Sequence, residues 1–342
     1  TYSITGPDAD KFNLNAVTGE LTFNQPPDYE NPTDTGTDNT YEITIIATDG
    51  ATSAPQNITV NVSDDDQEDT DGDGFTDAQE NQVGTNPHDA NSTPGLGFGL
   101  VAHWTFDENN GTVLHDASGH DVNGTLIGFD TSSDAHWAQG KIGGALQFDG
   151  VNDYVSFPGA TALDDLIPFS FAGWVNREDA DGGYLIAKRS TTTGYWRLHS
   201  GGANVTWVRQ FSGPDPTSTA GNTVLDQWTH LAFTWNGEAA GENTQLYVDG
   251  GQVANPSRVA GSGSPLSDAA NLFTLGNRPE GNNSYFKGKL DDYRIWDRVI
   301  TPSEVEALYE AAPATVSGAV SYDGPITGPT VIQALAANGQ LV

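Results

Sequence analysis

Apolar and polar positions alternate with period two along most of the chain, and only one segment reads as a helix. Residues 1–5, 41–47 and 57–62 alternate in this way, which predicts strands with one buried face. Thr18-Gly19-Glu20, between Phe12-Asn13-Leu14 and Leu21-Thr22-Phe23, predicts a hairpin turn. From about Leu100 to Ala311, short β-type segments are separated by Gly, Asn and Asp turns, the spacing of a sandwich. The predicted helix starts at Thr301-Pro302-Ser303-Glu304, a capping box with proline at the first helical position, and runs through residues 305–310. β patterning returns in residues 315–320 and stops after one or two strands, too few to bury a core.

Composition sharpens this into an all-β chain of several domains. The 342 residues include 40 Gly and 18 Pro, and 36% hydrophobic content with 8 Trp, 11 Tyr and 14 Phe is enough to build cores. Cys is absent, so no disulfide or thiol chemistry contributes, and no apolar run is long enough to span a membrane. Met is also absent, even at position 1, and we expect the chain to be an internal stretch of a longer protein. The expected domains are 1–67, an acidic connector at 68–95 closed by Pro94-Gly95-Leu96-Gly97, a large sandwich at 96–312, and the start of a further β-domain at 313–342.

Charge narrows the partners. The formal net charge is −33, and residues 1–95 hold 19 acids against a single base, Lys11. Such a surface repels nucleic acid and anionic lipid and attracts cations, so neither nucleic acid nor direct membrane insertion is expected. Asp69-Thr70-Asp71-Gly72-Asp73-Gly74-Phe75-Thr76-Asp77-Ala78-Gln79-Glu80 concentrates that charge with a definite spacing. It places oxygens at loop positions 1, 3, 5, 9 and 12, with Gly at position 6, the pattern that lets one turning loop supply a hard cation such as Ca²⁺. Asp69, Asp71 and Asp73 would give single carboxylate oxygens, Phe75 its carbonyl, Asp77 a direct or water-mediated contact, and Glu80 a bidentate closure.

With Val83-Gly84-Thr85-Asn86-Pro87 following, residues 64–93 resemble a bacterial thrombospondin type 3 repeat, which implies a calcium-rigidified spacer. Residues 1–67 resemble part of a cadherin repeat, incomplete at its N-terminal side. They carry Thr18-Gly19-Glu20-Leu21, Pro27-Asp28-Tyr29-Glu30, Ala47-Thr48-Asp49-Gly50 and Val60-Asn61-Val62-Ser63-Asp64 in cadherin order. That resemblance implies calcium on Glu30, Asp64 and Asp66 at the downstream boundary, and on Asp49 at the upstream one. The first cadherin strand would lie before Thr1, and Asp65-Asp66-Gln67 replaces the usual Asn-Asp-Asn. Asp8 and Asp10 are expected to be solvated loop charges.

Residues 96–312 resemble a laminin-G-like, concanavalin A-like jelly roll. The motifs are Leu100-Val101-Ala102-His103-Trp104, Ala145-Leu146-Gln147-Phe148-Asp149-Gly150, Phe169-Ser170-Phe171-Ala172-Gly173-Trp174, Gln227-Trp228-Thr229-His230-Leu231 and Lys289-Leu290-Asp291-Asp292-Tyr293-Arg294. The resemblance implies a structural calcium held by Asp291, helped by Asp107 and the Gly150 carbonyl; turn-capping aspartates are the alternative. Hydrolases on this fold use paired carboxylates, commonly as Glu-x-Asp, and no Glu-x-Asp occurs in the chain, so no enzyme is expected. Tyr195-Trp196-Arg197 with Trp207 and Arg209 mixes aromatic and polar groups as a glycan platform would, with sandwich core as the alternative.

The expected function is therefore a calcium-stiffened segment of a large extracellular bacterial adhesin or surface-matrix protein. Its laminin-G-like module would bind an extracellular glycan, a cell-surface protein, or copies of itself. The rival readings are an accessory, carbohydrate-binding region of a secreted polysaccharide-degrading enzyme, and a structural filament or sheath subunit.

Overall fold

The strand Thr40–Thr48 turns Tyr41 and Ile43 inward by its period-two pattern, and both are buried. It pairs antiparallel with Tyr2–Thr5 on one side and Ser53–Asn61 on the other. The hairpin Phe12–Leu14/Leu21–Phe23 covers this sheet, with Phe12 and Phe23 4.4 Å apart and Phe23 meeting Tyr41 edge-on at 5.1 Å. The computed structural model that shows this describes residues 1–29, 31–63, 68–189, 193–221, 223–239, 244–254, 256–278 and 284–311. It divides into two compact units, Thr1–Gly95 and one that starts at Leu96. The expected β-domain at 313–342 lies outside the described residues.

Two details of the first unit differ from the sequence reading. The last strand starts at Ser53 and takes in Pro55, which an edge strand tolerates because its outer N–H positions need no ladder partner. Asp8 is not solvated but 2% exposed. Its Oδ1 accepts the Thr35 N–H at 2.6 Å and its Oδ2 the Glu42 N–H at 2.7 Å, so it ties a loop to the central strand. Those donors hold its carboxyl below the usual range against the upward push of burial.

The second unit is a sandwich of two antiparallel sheets, of eight and nine strands among the described residues. In the first sheet Trp228–Trp235, Phe169–Arg177, Lys287–Trp296 and Gly144–Asp149 lie side by side. In the second the order is Thr217–Ala220, Asn204–Arg209, Trp196–Gly201, Tyr184–Lys188, Phe273–Leu275, Tyr154–Phe157, with further strands at both edges. Their facing sides enclose one core that contains Trp104, Phe171, Trp196, Trp207, Phe233, Trp235 and Phe273. Gly173 marks a bulge where a Cβ would stand 2.1 Å from Tyr293 Cδ1, so only glycine lets that ring cross the strand.

The unit closes on itself at its ends. Leu100–Trp104 pairs with Lys287–Trp296, and the Trp296 indole donates to the Leu96 carbonyl at 2.8 Å. The helix Pro302–Glu310 then covers the outer side of the eight-stranded sheet, with Val305 and Leu308, three apart, on Ala172, Ala232, Tyr247, Trp296 and Ile300. Thr301 and Glu304 form the capping box seen in the sequence. Glu304 also receives both terminal nitrogens of Arg298, at 2.7 and 2.5 Å.

Candidate functional site

The acidic loop is organised by its own backbone. Asp69 takes the Gly72 and Gly74 N–H groups at 2.8 and 2.9 Å, Asp71 takes that of Asp73 at 3.2 Å, and Asp73 that of Phe75 at 2.8 Å. Gly74 sits at φ +100°, where a side chain would be strained. The turns bring one carboxylate oxygen of each of Asp69, Asp71 and Asp73 within 4.8 Å of one another. Phe75 anchors the loop with a ring that is 2% exposed.

A helix that the sequence reading did not identify delivers the fourth acid. Asp77–Val83 begins with a capping box in which the Thr76 hydroxyl accepts from Gln79 N–H and Gln79 Oε1 accepts from Thr76 N–H. Gly84 closes it in the left-handed conformation. Glu80, on the first turn, is fully buried, and among the described residues neither carboxylate oxygen has a donor within hydrogen-bond distance; the nearby Thr85 hydroxyl donates to the Glu80 backbone carbonyl at 3.4 Å. Asp71 Oδ2 is likewise buried without a donor. Burial raises the Glu80 pKa, with repulsion from Asp73, Asp71 and Asp77 adding to it and Thr85 opposing. Buried carboxylate oxygens facing other carboxylates are costly unless a cation sits among them, and an all-oxygen set suits calcium.

Asp77 does not belong to that cluster. Both its oxygens are taken by Thr70, from the backbone N–H at 3.1 Å and the hydroxyl at 2.7 Å. Of the cadherin-like set, Glu30, Asp64 and Asp66 lie outside the described residues. Asp49 caps its own turn, accepting the Ala51 and Thr52 N–H groups at 2.9 and 2.8 Å, which pull its pKa down.

In the sandwich, Asp291 and Asp107 converge on the loop 140–144. Asp291 Oδ2 accepts the Lys141 and Ile142 N–H groups at 2.7 and 2.8 Å, and Asp107 Oδ1 that of Gly144 at 2.6 Å. Asp291 is fully buried, its Oδ1 has no donor among the described residues, and burial, with Asp292 and Asp107 adding, pushes its pKa up to about 7 against those two amides. The expected third ligand is not there. Leu146 pairs with Leu290 and Asp149 with Lys287, so Gly150 lies at the far end of its strand from Asp291.

The glycan set divides by strand alternation. Trp196 and Trp207 point into the core, where Trp196 packs on Phe169 at 5.0 Å and Trp207 on Trp235 at 5.7 Å. Arg209 is 1% exposed and ion-paired to Asp268, which also binds Lys188 at 3.0 Å. These three cannot offer a face to a sugar, which corrects the platform reading for them. Tyr195 and Arg197, one position out of phase, face outward and are half-buried. Beside them the fold brings Tyr184, Arg189 and Arg278, which the sequence reading missed; the only signal was arginine on an acid-rich chain.

Residues 149–306 match the concanavalin A-like lectin/glucanases superfamily in its Laminin_G_3 model, and residues 69–90 match the bacterial TSP3 repeat. The human adhesion G-protein coupled receptor D1 is 27% identical over 147 residues and its bovine counterpart 29% over 149. Each match covers 43% of this chain and 14% of the receptor, so the chain spans a small part of the length of these relatives. Among solved structures, domain 4 of AbnA, an extracellular arabinanase of Geobacillus stearothermophilus, in complex with arabinotriose, is 24% identical. It overlaps 61% of this chain and 98% of that one, with a TM-score of 0.43. The binding domain of botulinum neurotoxin serotype D/C is 12% identical over 65% of this chain and 54% of that one, with a TM-score of 0.49. The chain thus carries a laminin-G-like, concanavalin A-like jelly roll and a bacterial thrombospondin type 3 repeat.

Proposed function

We propose that this chain is a calcium-stiffened segment of an extracellular bacterial adhesin or surface-matrix protein, in which the jelly roll binds a glycan or a cell-surface protein. The observation that carries the reading is the buried Glu80, whose oxygens are unsatisfied among the described residues and which is repelled by Asp73 and Asp71 of the Asp69–Asp71–Asp73 cluster. Asp69, Asp71, Asp73, the Phe75 carbonyl and Glu80 hold the ion, and Asp77 braces the loop through Thr70. Without it, like charges repel and the connector is a loose hinge; with it, carboxylates from separated positions are tied to one centre. A second ion belongs at the unsatisfied Asp291 oxygen near Asp107. The cadherin-like reading of residues 1–67, with calcium on Glu30, Asp64 and Asp66, is part of the same proposal.

The similarity to an adhesion receptor over 147 residues supports a binding role for the jelly roll. The absence of Glu-x-Asp supports a non-catalytic one. Tyr195 and Arg197 are the members of the proposed glycan set that reach the surface. The test is binding to immobilised glycans and to cell surfaces, with calcium and after chelation. Saturable binding without turnover of the glycan supports the proposal; release of sugar products, or no binding on any surface, contradicts it.

A further inference from the structure

Only 13 Lys and Arg serve the whole chain against 46 acids, yet three arginines meet on the outer side of the nine-stranded sheet. They alternate with two tyrosines. Arg189 lies 4.4 Å over the Tyr195 ring and Arg197 5.4 Å from the same ring. Arg197 is also 5.9 Å from the Tyr184 ring, and Arg278 lies 5.5 Å over Tyr184 and donates to its hydroxyl at 3.3 Å. The series Arg189–Tyr195–Arg197–Tyr184–Arg278 draws on three different strand ends, so the fold assembles it.

A tyrosine ring holds a guanidinium by its face, and the N–H edge of a guanidinium is what takes carboxylate or sulfate. Arg197 has no ion pair among the described residues, and the buried Nε of Arg197 and of Arg278 lacks an acceptor. Among the described residues Asp215 is the acid on the ladder, and it is committed: its two oxygens accept the Tyr195 hydroxyl at 2.9 Å and the Phe211 N–H at 3.1 Å. His199, 5.8 Å from Tyr184, is pushed down to about 4 by burial and by Arg197, so it adds no charge at neutral pH.

On the face beside the ladder Ser156, Thr206, Thr217 and Thr219 are partly exposed, whereas Ala187, Val208 and Thr274 are buried. Across the strands Arg197 is in register with Ala187, Thr274 and Ser156 on one side and Val208 and Thr217 on the other. One row away, Thr206 and Thr219 join hydroxyls at 2.9 Å.

We propose that this outer face is a site for an acidic saccharide, a chain bearing carboxylate or sulfate groups among its hydroxyls, bound by Arg197 and Arg278. It rests on the glycan-binding reading above and narrows the ligand class. A neutral sugar would need a bare ring to stack on, and both tyrosines are already overlaid by guanidiniums. An acidic peptide would need apolar pockets for its anchors, and the partly exposed neighbours on this face, Ser156, Thr206, Thr217 and Thr219, are hydroxyl residues.

The test is calorimetry with four probes: a heparin-derived hexasaccharide, an oligogalacturonate, maltohexaose and poly-glutamate. The wild type binds one or both acidic saccharides, and binding weakens as NaCl rises. Arg197→Gln and Arg278→Gln each weaken it about tenfold, the loss of one charge-assisted contact. Lys289→Gln, the same charge change on the other sheet, has no such effect. If one arginine variant fails to fold, the other variant and the salt dependence still decide. Binding of maltohexaose alone, equal binding of poly-glutamate, or acidic binding indifferent to both arginines overturns the acidic-saccharide proposal. The first of these leaves the glycan reading standing, whereas binding of no saccharide, with proteins still bound at cell surfaces, removes both.

Discussion

Thr70 satisfies both carboxylate oxygens of Asp77, one from its backbone N–H and one from its hydroxyl. That relationship makes Asp77 a brace on the helix that presents Glu80. Thr70→Val removes one of the two bonds and should weaken calcium affinity only a few-fold, as an outer-shell loss does. Asp71→Asn, which touches an unsatisfied oxygen, should weaken it far more. Calcium titrations of the two variants compare them directly.

Asp291 gives a test that changes sign with calcium. It is fully buried with one oxygen unsatisfied and a pKa near 7, so in chelator its charge is a burden. Asp291→Asn should leave the melting temperature of the chelated protein equal or higher, and should lower it relative to wild type once calcium is added. An unchanged ordering in both conditions would show that Asp291 serves the 140–144 loop alone.

The cluster of Lys188, Arg209 and Asp268 is buried between the sheets, and Asp268 also accepts the Asp165 N–H at 3.0 Å. Asp268→Ala leaves two buried cations with less compensation, since Lys188 retains Asp164 while Arg209 loses its ion-pair partner and keeps the Leu266 carbonyl and the Trp235 ring. The expected loss is about 3–5 kcal/mol of sandwich stability, read by chemical denaturation.

His230 is buried against Trp174 and Tyr309, and burial is the main cause of a pKa lowered from 6.5 to about 4, with Asp292 opposing and Arg294 adding. The unfolded chain takes up that proton first, so stability present above pH 6.5 is lost as pH falls toward 4. The full effect is roughly 3 kcal/mol. Asp153, raised to about 6 mainly by its burial, works in the opposite direction. His230→Gln should therefore flatten the acid side of the stability profile relative to wild type, measured by denaturation from pH 7 to pH 4.

Much of the architecture is legible from local pattern. The alternation at 41–47 marks the central strand of the first unit, and the capping box at Thr301 marks the covering helix, because both signals arise within a few residues. The acidic loop is legible for the same reason, since its ligand spacing is local. The helix Asp77–Val83 is also written locally, as Thr76–Gln79 and Gly84, but the ligand spacing over the same residues hides it. What local pattern does not carry is the choice of face and the long-range pairing. Trp196 and Tyr195 are adjacent, and only sheet pairing decides that one is core and the other surface. Asp8 is buried by Thr35 and Glu42, and Arg189, Arg197 and Arg278 meet through strand register, so neither could be read from spacing. Gly150 matched a motif, yet the antiparallel register of its strand carries it away from Asp291.

The central claim is that calcium occupies the loop closed by Glu80. Its most direct test is calorimetric titration of calcium into chelator-stripped protein, wild type beside Glu80→Gln. The account predicts saturable binding in the wild type, with one site lost or weakened at least about tenfold in Glu80→Gln and the other sites kept. Equal binding in the two proteins, or heat that sodium chloride abolishes in both, would contradict it.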